Sequence, residues 1–256
     1  MAGVLTAPEP SWMVPFTGLN PRQFSKPIIA PRREGADPVC KGRPWGLPLE
    51  DRVLLIVAYR RTDLALRQLA PFCGESKSAA DRIVHRLGPS PALQPRKRFH
   101  REAVLIVDGT LVPTHDHSIA EQSKNCRYST NHQVVVDADA RLVVVVGRPV
   151  PGKRNDCEAW KLSGAKGAVG KTMVIADRGY RGPGLVIPHR RKRGQAELLA
   201  WKVEHDTFHR EVRARVERAF ARMKTWKILR DCRLKGDSVH HAMLGIARLH
   251  NLILAG

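Results

Sequence analysis

Two aspartates in this chain each follow a run of core-forming residues and lie beside a glycine. Val104-Leu105-Ile106-Val107 leads into Asp108-Gly109, and Met173-Val174-Ile175-Ala176 leads into Asp177-Arg178-Gly179. Short apolar runs of this composition read as buried strands, and a strand that ends in an acid is a rigid mount for it. The glycine next to each acid leaves room for backbone or substrate to approach closely. A third acid, Glu217, lies in a segment of helical period. Arg213, Glu217 and Lys224 are spaced by four and seven residues, so at about 100° per residue they share one stripe, beside the core stripe. Carboxylates gathered from distant segments are what a hard divalent cation such as Mg2+ requires, since it prefers oxygen ligands and keeps several waters. Two such ions can share the work of in-line phosphodiester cleavage, one side activating the attacking oxygen and the other neutralising the leaving oxygen. Singly, each acid has a plainer reading: Asp-Gly is ordinary turn chemistry, and Arg-Glu at i,i+4 is a common solvated ion pair.

The elements that must position these acids can be read in order. Residues 101–256 carry a strand through Asp108, two β-branched runs joined by an Asp/Ala turn (His132–Val150), a short helix from Asp156, a strand before Asp177 and another at Gly184–Pro188. A long helix over Asp206–Trp226 follows, with Val212, Val216, Ala219, Phe220 and Met223 on its core stripe, and a last helix closes the chain. Strand, hairpin, helix, strand, strand, long helix is the order of an α/β, ribonuclease-H-like fold, a mixed sheet with flanking helices.

Residues 47–100 read as a small all-α domain and linker. Leu49–Arg61 is helical with acids in its first turn, a second helix follows a cap at Thr62 or Asp63 and ends near Pro71 and Gly74, and Ser76 caps a third helix. This is the pattern of a helix-turn-helix, with Lys77, Ser78 and Arg82 on the outward side of the helix that would meet DNA; the alternative is a helical hairpin that only packs. Residues 1–46, rich in proline and scattered basic groups, read as a flexible arm.

Lys and Arg outnumber Asp and Glu by 44 to 24, a formal charge of +20, which favours a polyanionic partner. Clusters at Arg96, Lys97 and Arg98, at Arg190 and Arg191, and along Arg210–Lys235 are candidate phosphate contacts that would position DNA without reading its sequence. Five scattered cysteines without a CxxC pair suggest neither a zinc ribbon nor a disulfide framework. No membrane-length apolar stretch or leader is evident, so a cytoplasmic, nucleoid-associated protein is expected. Asp116 between His115 and His117 reads as a polar loop, Asp137 and Asp139 as hairpin turn, and His240-His241 as helix surface. Trp160, Trp201 and Trp226 read as core before stacking platforms.

With these residues in view the chain resembles a known family. VDGT around Asp108, ADRGY around Asp177 and the run Arg213-x3-Glu217-x6-Lys224 are similar to the DDE insertion-sequence transposases, of the insertion-sequence-five type whose third-acid signature is Tyr-x-x-Arg-x-x-x-Glu-x6-Lys. The resemblance spans residues 47 to 256. It implies that Asp108, Asp177 and Glu217 are the catalytic and metal-binding triad, holding two Mg2+ ions with Mn2+ as a substitute, and that Arg213 and Lys224 serve DNA. It implies cutting at transposon ends by water, then joining of the freed 3′-hydroxyl to target DNA without a covalent enzyme intermediate, by a homodimer or larger assembly on double-stranded DNA. Two positions depart from the pattern: Arg210 stands where the signature has Tyr, and Asn155-Asp156 stands where His-Asp often follows Pro-Gly, which leaves a helix cap as the expected role of Asp156. The competing readings are a noncatalytic helix-turn-helix DNA-binding protein, an inactive transposase descendant, and a ribonuclease H or junction resolvase on the same core.

Overall fold

The computed structural model describes residues 5–33, 44–90, 92–94, 96, 98–123, 127–182, 184–191, 193–194 and 197–255. They form two compact units: residues 94–222, and a second unit that joins residues 1–93 to 223–256. The last helix, which lies within the expected catalytic domain of 101–256, packs with the N-terminal part of the chain.

In that composite unit the helices are α1 (Pro10–Thr17), α2 (Pro21–Arg33), α3 (Leu49–Thr62), α4 (Leu66–Phe72) and α5 (Lys77–Leu87). Of the flexible arm expected over 1–46, Pro10–Thr17 and Pro21–Arg33 are instead helical, while residues 1–4 and 34–43 lie outside the described residues. Proline punctuates this arm without preventing helix: Pro10 and Pro21 occupy first turns, where no amide hydrogen is needed. Asn20 and Gln23 cap α2 reciprocally, Gln23 N–H donating to Asn20 Oδ1 at 2.8 Å and Asn20 N–H to Gln23 Oε1 at 3.1 Å. Leu5, Met13, Leu19, Phe24 and Ile28 are buried, so the arm contributes to the core. α3 is covered nearly all round, because α1, α2, α4 and α5 all pack on it. Its Arg60 is buried and donates to the Gly88 carbonyl at 2.7 Å, and burial lowers the guanidinium to about 10.

Three helices stand where the helix-turn-helix pattern puts them, with two local differences. Asp63 ends α3 in the left-handed region (φ 52°) and does not cap α4, whose capping position is Ala65. Pro71 sits inside the last turn of α4. Ser76 caps α5, accepting from Ala79 N–H at 3.2 Å, and Ala80, Ile83, Val84 and Leu87 face inward.

The second unit is built on a mixed sheet of β1 (Val104–Pro113), β2 (Glu121–Gln122), β3 (Tyr128–Asp137), β4 (Val143–Val146), β5 (Val150–Pro151), β6 (Met173–Ile175) and β7 (Leu185–Val186). The strand path is β2-β3-β1-β6-β7, with β4 and β5 also pairing β3. β1 and β3 are antiparallel over nine residue pairs, from Leu105↔Asp137 to Pro113↔Ser129, whereas β6 and β7 run parallel to β1. Helices α6 (Asp156–Leu162), α7 (Ala165–Val169) and α8 (Ala200–Met223) flank the sheet elements in sequence. This mixed sheet with flanking helices is the ribonuclease-H-like arrangement expected from element order. Leu105, Val107, Val135, Val174, Trp160 and Tyr180 belong to one core cluster. α8 begins six residues earlier than its apolar stripe suggested and ends at Met223; Val212, Val216, Ala219 and Met223 are buried as expected, while Phe220 is half-buried.

The chain's final segments, a 3-10 turn at Lys227–Leu229 and α9 (Asp237–Leu254), belong to the composite unit, where the Leu93 N–H donates to the Leu244 carbonyl at 3.1 Å. Among the described residues no helix is long and apolar enough to cross a membrane.

Candidate active site

Asp108 lies inside β1, which continues five residues beyond it, so the acid is carried by the middle of a central strand and not by its end. Pairing to β3 on one side holds it there, opposite Val134. Asp177 follows β6, the parallel neighbour of β1, by two residues. Strand alternation places Asp108 with Ile106 and Thr110 on one face of β1, and Gly109 with Leu105 and Val107 on the other.

One cation joins the two acids. Arg213, from α8, places Nη2 3.1 Å from Asp108 Oδ2 and Nη1 3.4 Å from Asp177 Oδ1. The Asp108 and Arg213 side chains are mostly buried (20% and 15% exposed), whereas that of Asp177 is half exposed. The remaining Asp108 oxygen accepts the Gly109 N–H at 2.9 Å. Burial nevertheless pushes the Asp108 carboxyl up to about 6, against the opposing pull of Arg213 and of the Gly109 N–H and with added repulsion from Asp156 and Asp177. One guanidinium thus leaves the negative charge at this position under-compensated.

Asp156 corrects the expectation of a capping role. Asn155 is the cap of α6, accepting from Glu158 N–H at 2.9 Å. Asp156 instead accepts from Asn131 Nδ2 at 2.9 Å and from Gln133 Nε2 at 3.3 Å, and its Oδ1 packs directly on Gly109. A Cβ on Gly109 would collide with that oxygen and would lie 2.8 Å from Gln133 Nε2, so the glycine is required by close approach and not by its backbone angle. Beside Gly179 there is open space on the protein side. Tyr180 completes the network, its hydroxyl donating to Gln133 Oε1 at 2.6 Å; burial and the nearby Asp156 and Asp108 charges push its pKa far up.

The buried Asn131, Gln133 and Tyr180 were missed in the sequence. The signal was available: Tyr128-Ser-Thr-Asn-His-Gln133 is a polar stretch leading straight into Val134-Val135-Val136, and positions 129–133 are all buried. Buried polar side chains on a central strand need partners, and such partners mark a site.

Glu217 stands one turn past Arg213 on α8, exposed, and among the described residues no hydrogen bond or ion pair joins it to Asp108, Asp177 or Arg213. Lys224 lies past the end of α8 and in the other unit, where its carbonyl accepts from Arg230 Nε at 2.7 Å. The single stripe expected for residues 213, 217 and 224 therefore stops at Glu217. Of the candidate phosphate contacts, Lys77, Ser78 and Arg82 are exposed on α5, Arg98 and Arg191 are exposed, and Lys97 lies outside the described residues. Arg96 faces Asp137 at 3.7 Å, and Arg190 donates to the Arg178 carbonyl at 2.9 Å.

The other expectations sort themselves by contact. Asp116 accepts from Ser118 N–H and Oγ within a turn, and His117 stacks on Tyr128, as in the polar loop expected. Asp137 accepts from the Asp139 and Ala140 amides of the hairpin turn. Trp160 and Trp226 are core residues, but Trp201 is 57% exposed. Cys73, Cys157 and Cys232 are free thiols; Cys40 and Cys126 lie outside the described residues.

Residues 99–252 match the family described as Transposase DDE domain. Over its full 256 residues, covering the whole of both chains, the protein is 73% identical to a protein of Streptomyces albus G named "Putative transposase for insertion sequence element IS112". The gathered aspartates, the ribonuclease-H-like sheet beneath them and these two matches lead to one assignment: the chain belongs to the DDE transposases of insertion sequences, enzymes whose substrate is DNA.

Proposed function

We propose that the chain cuts DNA at the ends of its insertion sequence and joins the freed 3′ ends to a target, with Asp108, Asp177 and Glu217 as the catalytic and metal-binding acids. The observation that carries this reading is the pairing around Arg213 of Asp108, on β1, with Asp177, two residues past the parallel neighbour β6. The donor set suits Mg2+, or Mn2+ in its place: the acids offer only hard oxygens, and the raised Asp108 carboxyl marks a position with less positive charge than its burial demands. When bound, a pair of such ions supplies charge neutralisation at the attacking and leaving oxygens of the phosphodiester. Glu217 is assigned from the Arg-x3-Glu motif, which keeps it one turn from Arg213 on the same helix.

The chain's own groups have separable tasks. β1 and β6 hold the Asp108 and Asp177 backbones rigid. Arg213 keeps both carboxylates oriented, and its charge suits a phosphate drawn toward them. Asn131, Gln133 and Tyr180 fix Asp156 against Gly109, so that Asp156 acts on Asp108 through its charge. Lys77, Ser78 and Arg82, with Arg96, Lys97, Arg98, Arg190, Arg191 and Lys224, are proposed to hold the DNA backbone, and synapsis of two ends calls for a homodimer or larger assembly at the nucleoid.

A DNA carrying the terminal repeats, incubated with protein and Mg2+, should yield nicks and strand-transfer products. Asp108→Asn and Asp177→Asn should each reduce these at least about a thousandfold while leaving DNA affinity within a few fold. The exposed Glu217 and the Arg at position 210 favour a second reading, a DNA-binding descendant without catalysis. Equal, absent activity in wild type and Asp108→Asn would establish that reading instead.

A further inference from the structure

A second cluster of ligand-type side chains lies in the same unit, distinct from the three proposed acids. His189 follows β7 by three residues, and His205 and Asp206 lie in the first third of α8. One ring nitrogen of each histidine and a carboxylate oxygen of Asp206 all lie within 4.8 Å of one another. Asp206 is buried, and its charge is directed by its surroundings: Oδ1 accepts the His189 N–H at 2.9 Å and faces His205 Nδ1 at 3.5 Å, while Oδ2 faces Arg178 at 3.4 Å. The two imidazole rings stand 4.9 Å apart, with Trp201 edge-on to His189 at 5.1 Å. His209, the next histidine along α8, is already engaged: its ring Nε2 lies 3.2 Å from the Val186 carbonyl oxygen.

We propose that His189, His205 and Asp206 form a metal site for a borderline divalent ion of the zinc type, clamping the first part of α8 to the chain leaving β7. Two imidazoles and one carboxylate are a usual set for such an ion, whose bonds to nitrogen and oxygen are about 2.0–2.2 Å long, so tetrahedral donors stand roughly 3.3–3.6 Å apart. The donors here lie within 4.8 Å of one another, so an ion would have to draw them together by roughly an ångström. Three protein ligands leave one position for water. The chemistry keeps this site apart from the carboxylates: Mg2+ seeks an all-oxygen set, whereas imidazole selects zinc-type ions. The clamp closes the 17-residue span from His189 to Asp206 and lies seven residues before Arg213 on α8, and Asp206 lines the same cleft, of about 310 Å3, as Asp177, Arg178 and Arg213. An ion here would tie the chain at His189, next to Arg190 and Arg191, to the first part of α8, which carries Arg213 farther along.

Metal-stripped full-length protein titrated with Co2+ decides the matter. The expected result is one equivalent bound with an intense visible d–d spectrum of a four-coordinate, nitrogen-containing site, displaced by Zn2+. This signal should survive Asp108→Asn/Asp177→Asn and disappear in His205→Ala and in His189→Ala, each checked for folding by circular dichroism. Zn2+ at a hundredfold excess over its Kd should raise the Tm of the wild type by about 5 °C or more, and that of His205→Ala not at all. No binding at micromolar Co2+, a weak octahedral spectrum, or a signal lost with the aspartates and kept without His205 would each overturn the proposal. Wild-type spectra alone suffice should the histidine variants not fold. DNA cleavage in Mg2+ is scored separately, so failure here leaves the transposase reading standing.

Discussion

At the scale of single residues, the site is governed by a shortage of positive charge. Burial of the carboxyl is the main reason Asp108 holds its proton more tightly than a free aspartate; Arg213, shared with Asp177, opposes this only in part, and Asp156 across the Gly109 backbone adds repulsion. The sign of the resulting pH dependence follows from the raised value. Protonated Asp108 is the form the fold tolerates, so this residue's favourable contribution is complete below pH 4 and is lost as pH rises through about 6. In metal-free buffer, Asp108→Asn should therefore be more stable than wild type at pH 7, by about 2 kcal/mol, with the difference vanishing near pH 4. Urea melts at both pH values test this, and an unchanged gap across the range would refute it. At Gly109 the constraint is steric: Gly109→Ala must push Asp156 and Gln133 aside, costing about 1–3 kcal/mol in a denaturant melt. Its strand-transfer activity should fall with Asp156 displaced, although no atom of residue 109 touches DNA in the proposed reaction.

Among the elements, β1 and α8 determine what the site can do. β1 is paired with β6 over Val104–Ile106 and with β3 from Leu105 to Pro113, so Asp108 is held from the β3 side just past a stretch fixed on both sides. α8 carries a partly buried Arg213 and an exposed Glu217 four residues apart, about 40° around the helix, so the two sit at the edge of its buried face. The helices over 49–87 test differently. Ser76 accepts one of the free amide hydrogens at the start of α5, so Ser76→Ala should cost about 1 kcal/mol in thermal or urea melts. If α5 is the element that meets DNA, Lys77→Ala with Arg82→Ala should weaken binding to all sequences alike, whereas Ser76→Ala should leave affinity nearly unchanged once the protein is folded.

For the whole molecule, charge is the dominant property. A formal +20 on 256 residues predicts DNA association dominated by counterion release. With roughly 6–10 phosphate contacts, affinity should fall about 10^3 to 10^5-fold between 50 and 200 mM salt, which a fluorescence-anisotropy titration would show. A slope corresponding to only one or two contacts would mean that the basic clusters are solvated faces and not a DNA track. Arg96 and Arg215, which face Asp137 and Asp139, already spend some of that charge inside the protein.

Local chemistry made much of the chain legible: the strand through Asp108, the strand before Asp177, the Ser76 cap and the valine-rich hairpin are each written in a few consecutive residues, as is the capping pair Asn20 and Gln23, which the abundance of proline concealed. What only the tertiary structure decided depends on residues far apart in sequence. Pairing of β1 with β3, which runs on to Pro113, put Asp108 in mid-strand, because a bonded neighbour extends a strand past its apolar run. Asp156 became part of the carboxylate group because Gly109 leaves it room and Asn131 and Gln133 receive it. The last helix joined the N-terminal unit because burial, not chain order, selects its partners. The meeting of His189 with His205 and Asp206 likewise has no local signature, since a loop and a helix turn supply the donors from opposite ends of a 17-residue span.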